Sequence, residues 1–150
     1  MKKLLLVFVI LLVASPAFAG DAYLDLLRSD VRIVKKEIIK EVMEFTDTEA
    51  QAFWKVYKKY QHEVEKVNDA KIELITDYAE HYWDLSDEKA QQLIKKAIDL
   101  EIKRAWIKKE YLRKFDYVIP SKKVAKFFQL ESKLSALVQV QMAAELPMIE

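Results

Sequence analysis

The sequence predicts an all-α protein of four helices, in which two long middle helices fold into an antiparallel hairpin. The 150-residue chain contains only one glycine and three prolines, so it has few residues suited to tight turns or helix breaks. One helix-start phrase occurs twice, as FTDTEAQ at 45–51 and LSDEKAQ at 85–91. Apolar residues recur every three or four positions around these phrases, which is the period of an amphipathic helix. Together these observations favour a helical fold over a mixed one.

Residues 1–19 have the three parts of a secretory signal peptide. Two lysines follow the first Met, an apolar run from Leu4 to Val13 is too short to span a bilayer, and AFA at 17–19 is a small-x-small cleavage site. We expect cleavage after Ala19 and a periplasmic protein. The mature chain, 20–150, suits a single all-α domain. It has no cysteine, so its stability has to come from packing without disulfides.

The repeated phrase predicts where the two long helices begin. Thr46 is a good N-cap, and Glu49 three positions later completes a capping box. Ser86 is the corresponding cap in the second copy, where Lys89 stands in place of the Glu. A third start is predicted at Ser121, after the helix-blocking Pro120. With a leading helix, the predicted helices are 22–43, 47–83, 87–117 and 122–145.

The short connection at 83–86 predicts an antiparallel hairpin, whose facing residues have numbers that add up to about 172. Lys71 then lies opposite Glu101, and each interrupts an apolar stripe. We therefore expect these two charges to form a structural pair, because a charge in an apolar seam is costly unless it is paired. On the third helix the predicted inward stripe consists of Ile94, Ala97, Ile98, Ala105, Leu112 and Phe115.

Catalytic and metal-binding patterns are weak. Glycine-rich phosphate loops and nucleophile elbows need several glycines within the domain, whereas the single glycine, Gly20, is the first residue of the mature chain. His62 and His81 lie on one predicted helix about 28 Å apart, too far to share an ion. Carboxylates are accompanied by lysines one turn away, as in Glu110 and Lys114, which is typical of solvated helix surfaces. We expect no enzyme, no cofactor and no metal site, with a metal-sensing accessory role as an alternative.

Charge is distributed unevenly along the mature chain. Residues 20–94 carry 11 basic and 17 acidic side chains, a net charge of −6, whereas 95–126 carry 11 basic and 4 acidic, a net charge of +7. The acidic and basic segments attract each other, either within one chain or across a dimer. We expect the protein to be a homodimer. An exported protein is not expected to meet nucleic acid, and an anionic membrane surface is a less favoured partner.

A second set of apolar residues lies away from the predicted hairpin seam. Two interpretations remain open: the first and last helices cover these residues, or part of the set is exposed and binds a partner or client protein. The candidates are Trp54, Ile72, Trp83, Trp106, Ile107 and Tyr111.

An exported, cysteine-free helical chain with hydroxyl caps at its hairpin corners resembles the LTxxQ-motif, Spy- and CpxP-like periplasmic proteins. FTDTE at 45–49 and LSDEK at 85–89 stand where that motif would fall. The chain is also similar to a group of exported helical proteins with phrases such as FWPxYxxY and FFQLE, here FWKVYKKY at 53–60 and FFQLE at 127–131.

The resemblance implies a Spy-like helical fold and a periplasmic chaperone or envelope-stress protein that binds unfolded or envelope proteins without ATP. The alternatives are an adaptor or structural protein with one cognate envelope partner, and the metal-sensing accessory.

Overall fold

The computed structural model describes the backbone of residues 33–145 and the side chains of residues 33–140. Within that range every regular element is helical, which confirms the all-α prediction. Helix α1 covers 33–43, α2 Asp47–His81, α3 Asp87–Asp116 and α4 Ser121–Glu145. A 3-10 turn, Tyr82–Asp84, joins the two long helices. The signal peptide and the predicted helical residues 22–32 lie outside the described residues.

Contacts divide the chain into two compact units, Met1–Ile38 and Ile39–Glu150. The second unit holds the end of α1 and all of α2, α3 and α4, and α2 packs along α3. The prediction of one domain over 20–150 stays a prediction. None of the described helices is long and apolar enough to cross a membrane.

Both copies of the repeated phrase begin helices as predicted. Their third helical residues, Glu49 and Lys89, make different contacts. Thr46 accepts the backbone N–H of Glu49, and the Glu49 carboxylate accepts the backbone N–H of Thr46 at 2.8 Å, a complete capping box. Lys123 of α4 also donates to Glu49, which lowers the pKa of that carboxyl. In the second copy Ser86 accepts the N–H of Lys89. The first box therefore also links the starts of α2 and α4.

The Lys89 side chain pairs across the hairpin with Asp77 of α2, near the turn. The hydrogen bond from Lys89 lowers the pKa of the Asp77 carboxyl. His81 lies beside the same residue, with Nδ1 2.8 Å from the Asp77 carbonyl oxygen. Lys89, which cannot complete a capping box, thus forms an ion pair that joins α3 to α2 near the hairpin turn.

The expectation that Ser121 caps α4 is wrong by one residue. The helix begins at Ser121 itself, so Pro120 takes the cap position. Its carbonyl accepts the backbone N–H groups of Lys123 and Val124 at 2.8 and 3.1 Å. Proline serves here because its fixed φ suits a helix start and the cap contributes its C=O, not its N–H, to the first turn.

Glu44, between α1 and α2, has φ of 48°. This left-handed conformation ends helices and usually falls to glycine, which is absent from the described range. Its carbonyl accepts Lys123 Nζ at 3.1 Å, so the turn between α1 and α2 is fastened to the start of α4.

The core sits at the end of the hairpin where α2, α3 and α4 meet. It joins the two phrases that carry the second resemblance: Phe53 and Tyr60 of FWKVYKKY pack on Phe127 of FFQLE, with ring centroids 5.2 and 6.0 Å apart. Phe115 of α3 completes the cluster, 4.9 Å from Phe127 and 5.2 Å from Phe53. Phe127 meets Phe53 and Tyr60 edge to face, whereas Phe53 stacks on Phe115. Stacked and edge-to-face aromatic pairs contribute about 0.5–1.5 kcal/mol each beyond area burial.

Candidate partner-binding surface

Helix α3 is apolar on two sides. Its core side holds Leu93, Ile107, Tyr111 and Phe115, all buried. Phe115 of the predicted inward stripe is therefore confirmed as buried and Ala97 is half-buried, but the other four members are exposed, so most of the stripe is wrong: Ile94, Ile98, Ala105 and Leu112. Ile107 and Tyr111, expected as candidate client-binding residues, are only 8% and 5% exposed and belong to the core. Both sides of α3 carry apolar residues at helical spacing, so periodicity alone does not show which side faces the core. The structure buries the side that contains Ile107 and Tyr111.

The outer side of α3 carries four large apolar residues at four-residue steps, which we call the outer row. Ile94, Ile98, Ile102 and Trp106 are 58, 49, 51 and 62% exposed. Successive members advance about 40° around a helix of 3.6 residues per turn, so the row winds slowly along one side. Single exposed apolar residues are ordinary, whereas adjacent exposed apolar residues along one helix make a candidate interaction surface.

Basic side chains accompany the outer row. Lys95 lies beside Ile94, and Lys109 places its Nζ 5.0 Å from the centre of the Trp106 ring. That geometry is a cation–π contact, worth about 0.5–1 kcal/mol at an exposed site. A shallow depression beside the first half of the row is lined by Gln91, Ile94, Lys95 and Ile98, among others. The surface is thus apolar at its centre and charged along its edges.

The hairpin tip supplies a separate exposed aromatic. Trp83 is 92% exposed and makes an edge-to-face contact with Tyr82, with centroids 5.0 Å apart. Trp54 and Ile72, the other candidates on α2, are half-buried. Trp54 packs against Phe53 with centroids 5.1 Å apart, at the edge of the core. Of the six expected partner-binding residues, Trp83 and Trp106 are the two that the structure leaves exposed.

Sequence reasoning missed the outer row as a surface. The predicted seam includes Ile94 and Ile98 and leaves out Ile102. The available signal was the seven-residue step between Leu93, Leu100 and Ile107, which continues through Tyr111 to Phe115 and defines one unbroken inward side. Placing that side inward leaves the isoleucine row outside.

The expected Lys71–Glu101 pair does not form within the chain. Glu101 is exposed, Lys71 is half-buried, and no ion pair joins them within residues 33–140. The register itself holds: Arg104 Nη1 donates to Asn68 Oδ1 at 2.8 Å, and these two numbers add up to the predicted 172. Glu101 faces outward because the inward side of α3 passes through Leu100 and Arg104. Arg104 also donates to Ser135 Oγ at 3.0 Å, so one side chain joins α2, α3 and α4.

One acidic side chain is buried inside the aromatic core. Glu131, 1% exposed, accepts a hydrogen bond from the Tyr60 hydroxyl at 3.3 Å. Burial, and then the nearby Glu131 charge, raise the pKa of Tyr60 well above its ordinary value of 10.0. Tyr57 is affected in the same direction by the same two causes. This buried network fixes how α4 sits on α2, and it is closed to ligands.

Metal-binding geometry is weak over residues 33–140: no group of three or more His, Cys, Asp or Glu side chains there could hold an ion. His62 is exposed, and His81 Nδ1 lies 3.2 Å from Asp77 Oδ1. The outer row, by contrast, is an exposed apolar surface of α3, and covering it with apolar protein side chains is favourable.

Comparisons with protein-family models, with curated proteins and with solved structures find no match to this chain.

Proposed function

We propose that the mature chain is a periplasmic, ATP-independent chaperone or envelope-stress protein that binds unfolded or envelope proteins on the outer face of α3. The outer row carries the proposal, because it exposes three isoleucines and a tryptophan to solvent on one side of a single helix. Folded partners and unfolded chains both present apolar side chains that such a row can cover. The resemblance to Spy- and CpxP-like proteins and the expected signal peptide support the compartment.

The physical basis of client binding is burial of apolar surface. Each apolar square ångström removed from water is worth about 25 cal/mol, and much of the gross gain is offset by ordering and association costs. A four-residue row therefore supports weak, reversible binding better than a permanent complex. That property suits a protein that holds chains and releases them without ATP.

The packing on the opposite side of α3 supports this role. The row lies on a helix whose opposite side is held by the aromatic core and by the Arg104 contacts to Asn68 and Ser135. Changes to the outer row should therefore alter binding without unfolding the protein. The surface and the core are separable by mutation.

The test is suppression of aggregation by the mature protein, measured by light scattering of several unrelated unfolded proteins without ATP. Ile98→Gln with Trp106→Gln should abolish most of the suppression, while the melting temperature stays within a few degrees of the parent. The matched control is Gln92→Ala, an exposed position on the flank of the same helix. Equal suppression by parent and double variant, or activity toward one protein only, would count against a general chaperone; the second result would favour the adaptor.

A further inference from the structure

The hairpin tip presents an aromatic surface that is separate from the core and from the outer row. Trp83 lies in the turn Tyr82–Asp84 and is 92% exposed. Three rings follow one another toward the tip: Tyr78 meets Tyr82 edge to face with centroids 5.7 Å apart, and Tyr82 meets Trp83 in the same way at 5.0 Å. Trp83 is therefore supported by its contact with Tyr82, while most of its own surface is open to a partner.

The charge around this ring is of one sign. Residues 77–88 contain five acidic side chains and no Lys or Arg. Three of the five have a role in the fold, since Asp77 pairs with Lys89 and two others lie in the first turn of α3, where carboxylates are favourable. The remaining two are Glu80 and Asp84, which precede and follow Trp83 in the chain.

Glu80 and Asp84 lie at the end of α2, where the helix dipole favours cations and disfavours negative charge. Both side chains are exposed, and within residues 33–140 neither of them forms an ion pair. Glu80 precedes Trp83 by three positions and Asp84 by four, a spacing that makes residues neighbours on a helix surface. A cation bound here would be attracted by two carboxylates, by the face of an indole ring and by the negative end of a helix.

Among the cations that a protein partner carries, the arginine side chain fits these groups best. Its guanidinium is planar and weakly hydrated, so it stacks on a tryptophan face and donates hydrogen bonds to carboxylates at its edge. The lysine ammonium is a compact and strongly hydrated charge that gains less from the ring. Nucleic acid and anionic lipid carry the wrong charge for an acidic tip.

We propose that the hairpin tip docks arginine-rich polypeptide segments, with a guanidinium stacked on Trp83 and paired with the Glu80 and Asp84 carboxylates. This site is separate from the outer row, and it does not rest on the proposed function. The tip selects partners by positive charge, whereas the outer row selects them by apolar surface.

The test is fluorescence anisotropy of short labelled peptides titrated with the mature protein at low ionic strength. One peptide alternates arginine with serine, a second has lysine in place of each arginine, and a third has glutamate there. The arginine peptide should bind most tightly, the lysine peptide several-fold more weakly, and the glutamate peptide not at all. Binding should weaken as salt is added, because exposed charges are screened.

The contribution of the ring is measured with Trp83→Ala. This variant should bind the arginine peptide about tenfold more weakly than the parent. The matched control is Tyr117→Ala, which removes a 91% exposed aromatic at the other end of α3 and should leave the affinity unchanged. Melting followed by circular dichroism should show both variants as stable as the parent, because each side chain is almost fully exposed.

The contribution of the carboxylates is measured with Glu80→Gln and Asp84→Asn combined. The double variant should bind the arginine peptide about fivefold more weakly and should show a smaller salt dependence. Its matched control, Asp99→Asn with Glu101→Gln, removes the same net charge from exposed positions on α3 and should have little effect. Equal weakening by the two double variants would show attraction by net charge alone and would overturn the site.

Other outcomes also overturn the proposal. Equal affinities for the arginine and lysine peptides would exclude stacking on Trp83. A soluble chitin oligosaccharide that binds through Trp83, with no binding of the arginine peptide, would make the tip a glycan site instead. Ile98→Gln with Trp106→Gln leaves the tip intact and should bind the arginine peptide as the parent does, even if the outer row proves to bind no client. Loss of peptide binding in that variant would place the peptide on the outer row and refute docking at the tip.

Discussion

Removing the hydrogen bond between Tyr60 and Glu131 should destabilise the fold more by single than by double substitution. Both side chains are buried, and the hydroxyl lies 3.3 Å from the carboxylate. Tyr60→Phe withdraws a donor from a buried carboxylate, and a hydrogen bond to a charged group is worth about 1.5–3 kcal/mol. Glu131→Leu leaves the phenol hydroxyl buried without its acceptor, which costs about 1–3 kcal/mol.

The double variant replaces both polar groups with apolar ones of similar size. Such a replacement is close to neutral, so the sum of the single losses should exceed the double loss by about 2.5–6 kcal/mol. Arg104 keeps Asn68 and Ser135 as partners in every variant. The measurement is urea unfolding followed by circular dichroism for all four proteins. Additive losses would refute the buried pair and the placement of α4 on α2 that depends on it.

Three further predictions follow from local structure. Thr46→Ala and Ser86→Ala should each lower the unfolding free energy by about 0.5–2 kcal/mol in chemical denaturation, because each leaves a helix-start N–H unpaired; unchanged midpoints would contradict the caps. Glu44→Gly should raise stability by up to about 1 kcal/mol, because glycine adopts the left-handed turn without steric cost; a loss would show that Glu44 contributes more than its backbone. The pKa of Tyr60 in the folded protein is raised above its ordinary value of 10.0. Its contribution to the free energy of unfolding is therefore complete below pH 10 and is lost as the pH rises toward the pKa of the folded state. Tyr60→Phe should flatten the alkaline fall in stability by up to about 1.4 kcal/mol per pH unit, and equal slopes would argue against a buried phenol.

Helix boundaries were predictable because their determinants are local. Thr46 and Ser86 cap helices through bonds to residues three positions away, and these bonds form as soon as the first turn does. The hairpin register followed from the short turn, and Arg104 with Asn68 confirms it. The start of α4 was predicted one residue too late. Proline in a sequence usually indicates the end of a helix, but here the Pro120 carbonyl accepts hydrogen bonds from the first turn of α4, so Pro120 and not Ser121 is the cap.

The side of α3 that faces the core was not predictable from periodicity alone. Ile98 and Leu100 are equally apolar, and only the packing of α2 and α4 decides which of them turns inward. For the same reason Lys71 and Glu101 were expected to pair: the residues lie at the correct level along the hairpin, but Glu101 points outward. The two phrases at 53–60 and 127–131 are far apart in sequence. Their contact in one aromatic core depends on tertiary packing, which local sequence patterns do not determine.

The binding claim is tested most directly by photo-cross-linking from the outer row. A benzophenone amino acid in place of Ile102 should give covalent adducts with an unfolded client. The same amino acid in place of Glu73, an exposed residue of α2, should give few. Mass spectrometry of the adducts identifies the attached residue. Adducts that form at Ile102 and not at Glu73 are the predicted result; equal adducts at both positions, or none at Ile102 while the protein still suppresses aggregation, would contradict binding on the outer face of α3.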